Sequence, residues 1–411
     1  IALKDKLPDA FSFKEEKQGN RILYTWQAIN IPQIFPEPGM PAWYTCVQRL
    51  LVSTAPDWAS ISRRYYQLCR PRMDAVSPEM KEKVAKLIRG AQTPEEKLRR
   101  IFRFVSQEIR YMGLTTEETA PGYEPHDVKD TFSKRYGVCR DKAVLLAAML
   151  ELAGIKAYPV LFMAGDPKDP EVPNNYFNHA ITAAELAPGK YTLMDPTYEN
   201  TADLLPAGEA EMSYLVAKPE GETLRMSPAA SPLRNRLALR TTGKALTDGT
   251  MKLRTILTFT GINDQMFRSA FARWSANTRE QFFAMRLKQA LPGVKLTGLR
   301  VQPAQIRNTA EKLQVTLDYT ANWRMPPDRP EIQLQIPDFL QVFGFATAEV
   351  LDYTGLQKRQ YPIKLYSCSD FESEFALQLP PGIEPVALPP SRQSFRSPDL
   401  QKYRTISIHH R

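Results

Sequence analysis

The chain has 411 residues, too many for one hydrophobic core and enough for two or three domains. Its make-up, 43% hydrophobic and 24% charged, is that of a folded globular protein and excludes disorder and coiled coil. The formal charge is +9, and residues 226–411 carry 25 Lys and Arg against 15 Asp and Glu, so the basic surplus lies in the C-terminal part.

Those basic residues stand singly, with no block of five, which reads as a solvated face; a nucleic-acid partner is not expected. The longest apolar stretch, 143–155, is interrupted by Glu151 and is too short to cross a bilayer, so no transmembrane segment is expected. Four Cys (Cys46, Cys69, Cys139, Cys368) and four His show neither C-x-x-C nor H-E-x-x-H spacing, which argues against structural zinc and against a metalloprotease. The spacing leaves open whether Cys46, Cys69 and Cys368 form a disulfide. The start at Ile1, without Met or a charged and apolar leader, reads as a mature or trimmed chain.

In chain order, residues 21–29 alternate as a strand and 46–53 as a second β-like run. With no partner strand expected before residue 10, this region reads as the end of a sandwich. Ser77-Pro78-Glu79 and Thr93-Pro94-Glu95-Glu96 each place a capping hydroxyl before a proline at the first helical position. The second of these helices is expected to run to about Tyr111, with Leu98, Ile101, Phe102, Val105 and Ile109 on its buried stripe. His126, in Pro125-His126-Asp127, belongs to another helix start. Residues 139–153 are apolar nearly all round, the mark of a helix buried on most sides, and Gly154 ends it. Strands are expected at 157–163, 177–184 and 191–194. A linker is expected over 219–232, followed by strands at 252–260, 313–319, 331–336 and 375–379 and one helix at about 264–291. The resulting division is 1–70, the end of a β-rich domain plus a connecting helix; 71–225, an α+β domain; and 226–411, a β-rich domain with one helix.

Cys139 opens the apolar helix directly after Gly137, which permits a tight turn. A thiol at a helix N-terminus meets the positive end of the dipole and free amides that favour a thiolate and can hold an oxyanion. His179 lies on an alternating strand, on one face with Ile181 and Ala183. The short turn at 186–189 brings the next strand back so that Asp195 falls opposite His179 or one diagonal step away. Nucleophile, base and orienting acid in this order suit acyl transfer. Asp141 complements the dipole of the Cys139 helix. His409 and His410 carry no role.

Gly137-x-Cys139-x-Asp141 with Ala143 and Leu145-Leu146, then Gly154-Ile155-x-Ala157, His179-Ala180 and Asp195-Pro196-Thr197 together resemble the transglutaminase-like superfamily of papain-fold cysteine enzymes. More narrowly, the chain resembles bacterial, Bacteroidetes-type proteins in which this domain sits between β-rich domains, with Tyr24-Thr25-Trp26 and Asp57-Trp58 similar to the end of the upstream one. The likeness spans about residues 75–205. It implies a central papain-like α+β domain between sandwich-like flanks, with Cys139 as nucleophile, His179 as base and Asp195 as orienter. It also implies a periplasmic or cell-surface location. Tyr111 matches the region where relatives place an aromatic that assists the oxyanion. Val138 stands where many relatives have Asp, and Ile181 where many have Trp, so both are expected at the cleft.

The expected function is therefore cysteine-dependent acyl transfer at amide bonds through a thioester, as a peptidase or amidase. An amine-transferring transglutaminase and a non-catalytic scaffold are the alternatives. The substrate is expected to be a peptide, a protein or a cell-surface polymer, with the β-rich flanks restricting access. No D-x-[DN]-x-[DN]-G run is present, so catalysis is expected without metal or other cofactor. Oligomeric state is left open.

Overall fold

The computed structural model describes residues 2–4, 11–113, 122–291, 293–322, 337, 339–344, 353, 355–365, 367–383, 393–395 and 404–406. The first strand, β1 (Ala2–Lys4), pairs antiparallel with β4 (Arg49–Leu51). A strand therefore does precede residue 10, contrary to the sequence reading. Between them β2 (Phe11–Gln18) and β3 (Arg21–Ala28) form a hairpin, turned at Gly19 with φ +61°.

Helix α1 (Trp58–Asp74) is capped by Asp57, whose carboxylate accepts the Ser60 amide. The two proline-started helices form as expected, α2 (Pro78–Ile88) from Ser77 and α3 (Pro94–Glu108) from Thr93. Helix α3 stops three residues short of Tyr111, because Arg110 and Tyr111 leave it as strand β5 (Arg110–Tyr111), parallel to β6 (Tyr136–Gly137). Between these short strands lies α4 (Val128–Lys134), begun at Asp127 as its sequence suggests.

Helix α5 (Cys139–Leu152) then runs through the core, with every residue from Asp141 to Leu150 buried, and Gly154 follows it in the left-handed region. It lies against a five-stranded sheet ordered β11-β10-β7-β8-β9, made of β7 (Ala157–Met163), β8 (His179–Ala187), β9 (Lys190–Met194), β10 (Ser213–Val216) and β11 (Arg225–Met226). Ala157, Leu161, Ala184 and Leu215 join the α1, α2, α3 and α5 core on one face. Val160, Phe162, Ile181, Ala183 and Val216 pack together on the other. Burial on both faces explains why β7 and β8 read as continuous apolar runs. Strands β10 and β11 were missed in the sequence, β11 because it falls in the segment read as a linker.

A second five-stranded sheet, ordered β14-β15-β13-β12-β16, contains β12 (Arg236–Ala245), β13 (Thr250–Phe259), β14 (Lys295–Gln302), β15 (Gln314–Asn322) and β16 (Asp370–Gln378). Its strands alternate buried and open residues, and the buried face meets α6 (Ile262–Phe271) and α7 (Ala276–Ala290) through Phe267, Phe271, Phe283 and Leu287. The single helix expected over 264–291 is thus two, because Ser275 caps a new start by accepting the Thr278 amide. The strand expected at 331–336 lies outside the described residues. No described helix is long and apolar enough to cross a membrane, and none of the four cysteines is joined in a disulfide.

Candidate active site

Cys139 is the first residue of α5, as its sequence context suggests. Gly137 has no positive φ; what demands glycine there is space, since a Cβ would stand 2.8 Å from that of Asp141 and 3.1 Å from the Thr131 methyl. Asp141 closes the helix start. One of its oxygens accepts the Val138 amide at 3.1 Å, and the other accepts the His126 amide at 3.0 Å and faces the His126 ring at 3.1 Å. The buried Asp141 thus ties two segments together, more than a dipole partner would.

Strand β8 delivers His179 at its first residue. Just before it, Asn178 pairs with both backbone groups of Ala164, at 2.8 Å each, and the Tyr123 hydroxyl binds both backbone groups of Phe177. The entry to β8 is therefore held from two sides. The β8–β9 register pairs Thr182 with Met194. Continued by one residue it sets Asp195 against Ile181, so His179 is its diagonal neighbour, the second of the two placements expected. The hairpin turns at Gly189, φ +69°. Thr182 points to the opposite face and donates to the Ala143 carbonyl of α5 at 2.8 Å, tying the strand to the helix.

His179 Nε2 meets Asp195 Oδ2 at 2.8 Å. The other Asp195 oxygen accepts the amide and hydroxyl of Thr197, each at 2.7 Å, the amide nearest in sequence once Pro196 has removed its own. Asp195 is fully buried. With Nε2 engaged, Nδ1 is the ring nitrogen left for a second partner. Burial drives the Cys139 thiol up, but the hydrogen-bonding influence and charge of His179 and the amides of Ala180 and Arg140 outweigh it and lower its pKa. Burial lowers His179, yet its hydrogen bond to Asp195, the hydrogen-bonding influence of Cys139 and the charge of Asp195 and Glu209 push it up to about 11. Both directions favour a thiolate–imidazolium pair near neutral pH.

Tyr111, 37% exposed, sits near enough that burial and the charges of Cys139 and Asp195 raise its pKa. The end of α3, just before its strand, is anchored by Lys142, a buried lysine of α5 that donates to the carbonyls of Ser106 and Ile109. Burial lowers Lys142 to about 8. Val138 is buried at the α5 start. Ile181, expected on the cleft wall, is instead fully enclosed with the other residues of the second sheet face, because even-numbered and odd-numbered residues of β8 are both covered. That expectation is corrected to a core position.

Two residues of the site were not foreseen, Lys142 and Glu209. Glu209 is a buried acid with Oε1 3.8 Å from His179 Nε2. Nothing in Pro206-Ala207-Gly208-Glu209 signals it, since only the tertiary path from β9 to β10 brings it back. Donor atoms of His179, Asp195 and Glu209 lie within 4.8 Å of one another, the one such group among the described residues. An ion bound tetrahedrally at about 2 Å from each would hold its ligand atoms about 3.3 Å apart. The 2.8 Å His179–Asp195 contact is closer than that and reads as a hydrogen bond.

Residues 81–196 match the family model of the transglutaminase-like superfamily. No curated protein matches the chain. Among solved structures, a provisionally named protease of Parabacteroides distasonis ATCC 8503 is similar at 16% identity and a TM-score of 0.43, with 78% of this chain and 63% of that one covered. A provisionally named cysteine protease of Cytophaga hutchinsonii is similar at 18% identity and a TM-score of 0.26, with 47% of this chain and 56% of that one covered. The chain thus spans less than two thirds of either protein's length. The stretch that carries Cys139, His179 and Asp195, in that order, is a domain of the transglutaminase-like superfamily.

Proposed function

We propose that the chain is a cysteine-dependent acyl-transfer enzyme acting on amide bonds, and a hydrolase of the peptidase or amidase kind. What supports this reading is the Asp195–His179 hydrogen bond together with a thiol at the start of α5 whose pKa His179 lowers.

The Cys139 thiolate attacks the carbonyl carbon, a C–S bond forms, and the electron pair moves to the carbonyl oxygen, which the dipole and amides at the helix start stabilise. Tyr111 lies on the same side and supplies a phenol donor. The His179 imidazolium gives its proton to the amide nitrogen, the C–N bond breaks, and the amine leaves a thioester. Neutral His179 then takes a proton from water as the water oxygen attacks. The acid departs and the thiolate–imidazolium pair is restored. Asp195 holds the ring by Nε2 throughout. The 71–225 unit, between β-rich segments, is the part we assign to the chemistry.

The test is covalent. The full chain is treated with limiting iodoacetamide at pH 6 and the adduct located by peptide mass. Carboxamidomethylation of Cys139 ahead of Cys46 and Cys368 is expected. Preference for another cysteine, or no adduct, overturns the mechanism. A fluorogenic acyl-amide panel, with and without a dansylated alkylamine, then separates hydrolysis from amine transfer by the mass of the acyl product.

A further inference from the structure

Glu209 lies outside the matched stretch of residues 81–196 and has no part in the steps above. It ends a single 3-10 turn, Ala207–Glu209, and Ser227 holds that turn from behind by donating its hydroxyl to the Glu209 carbonyl. The Glu209 side chain is 5% exposed, and its Oε2 is buried with no hydrogen-bonding partner. Asp195 is satisfied on both oxygens, by His179 and by the two groups of Thr197.

Two acids, both buried, and one imidazole therefore lie together with their atoms within 4.8 Å. Two carboxylates that close do not both ionise, so one keeps a proton. Asp195 has three donors to stabilise its charge, whereas Glu209 has an unpaired oxygen on which a proton would sit. We propose that Glu209 is a positioning residue: a carboxylic acid that stays protonated at neutral pH and donates its hydrogen bond to Asp195, pinning that carboxylate against His179. The proposal rests on the acyl-transfer reading for its consequence in turnover, but not for the protonation itself.

The surroundings agree. Burial and the Asp195 charge push Glu209 well above the ordinary carboxylate range, with the His179 charge opposing. Burial works against the Asp195 charge, yet the hydrogen bonds from His179, Glu209 and Thr197 lower its pKa. The other groups that bear on the pair are the Tyr198 phenol, raised by burial and by both acids, the Tyr111 phenol, raised by burial and the charges of Cys139 and Asp195, and Lys142, which feels Asp195 and Glu199. None of them pairs with Glu209 in an ion pair.

Infrared difference spectra of the full chain against Glu209→Gln, in D2O at pH 7, test the protonation. A carboxylic-acid carbonyl band present in the native chain and missing from the variant is expected, and its absence from the native chain or its survival in the variant overturns the proposal. Gln keeps a donor toward Asp195, so its pH curve for Cys139 alkylation should superimpose on the native one. A shift of that curve to lower pH would mean that a negative charge had been removed, and would also overturn it. Glu209→Leu, which cannot donate, should lose about tenfold in kcat with little change in KM, while Gln stays within about twofold of native. If Leu matches Gln, the positioning role fails. If the band behaves as expected and the native chain turns over no acyl substrate, the acyl-transfer reading fails and the protonated Glu209 stands.

Discussion

Arg268 in the second sheet region and Glu209 in the first are both buried and both ionisable, yet their surroundings differ in kind. Arg268 is 1% exposed, and its guanidinium binds Asp264 at 2.7 Å and the carbonyls of Ile306, Asn308 and Glu311. Nearby, Thr241, Thr255 and Tyr319 close a second buried network with contacts of 2.8 Å. These groups are paired and have nothing left to exchange. Around His179, by contrast, an imidazole and two acids lie within 4.8 Å of one another, the imidazole's charge lowers the Cys139 thiol, and the pKa values are pulled apart. A buried polar group that is fully satisfied reads as architecture, while a set that shares protons reads as chemistry.

The largest effect expected is at the nucleophile. Cys139→Ala should cut acyl turnover by about 10³-fold or more while thermal unfolding stays native-like, since a small residue at the first position of α5 removes little packing. Asp195→Asn should follow, with turnover lower by about 10² to 10⁴-fold. It should also slow Cys139 alkylation at mildly acidic pH, because the imidazolium loses its carboxylate. In the other region the sign of the contrast reverses: Arg268→Met should destabilise the chain by about 3–5 kcal/mol in denaturant titration, by leaving Asp264 and three carbonyls unpaired, and leave the pH curve of Cys139 alkylation in the folded fraction unchanged. An effect of Arg268→Met on that curve would show that the two regions are not separable in this way.

The pH dependence follows from the shifts themselves. A lowered Cys139 and a raised His179 mean that the reactive thiolate persists below the pH where an ordinary thiol, near 8.5, is lost. Alkylation should therefore persist below the pH at which an ordinary thiol stops reacting and decline only as acid protonates the thiolate. A curve that rises with a midpoint near that of an ordinary thiol would remove the ion pair. The smallest change is expected from Thr182→Val, which breaks the Thr182–Ala143 bond between β8 and α5 and should cost about 1 kcal/mol of stability with a modest fall in turnover.

Much of the site was legible because it depends on local signals. Ser77 and Thr93 before proline, the apolar run after Cys139, and the alternation around His179 each report on a few neighbouring residues, and the short 186–189 turn leaves few registers for Asp195. What escaped depended on distance along the chain. The break before Ser275 hid inside a pattern that is helical on both sides, and β10 and β11 are short strands defined by their partners. Ile181 was expected at the cleft because it stands where many relatives have Trp, but the second covered face of the sheet encloses it.

By itself the sequence determined the helix starts and the order of cysteine, histidine and aspartate, and hence the superfamily of the 81–196 stretch, because caps and periodicity are short-range properties of the backbone. Tertiary structure alone decided that Lys142 reaches the end of α3, and that Glu209, fourteen residues beyond Asp195, returns to face the same imidazole. Burial and charge proximity set which acid keeps a proton, and both are properties of the assembled core that no local pattern encodes.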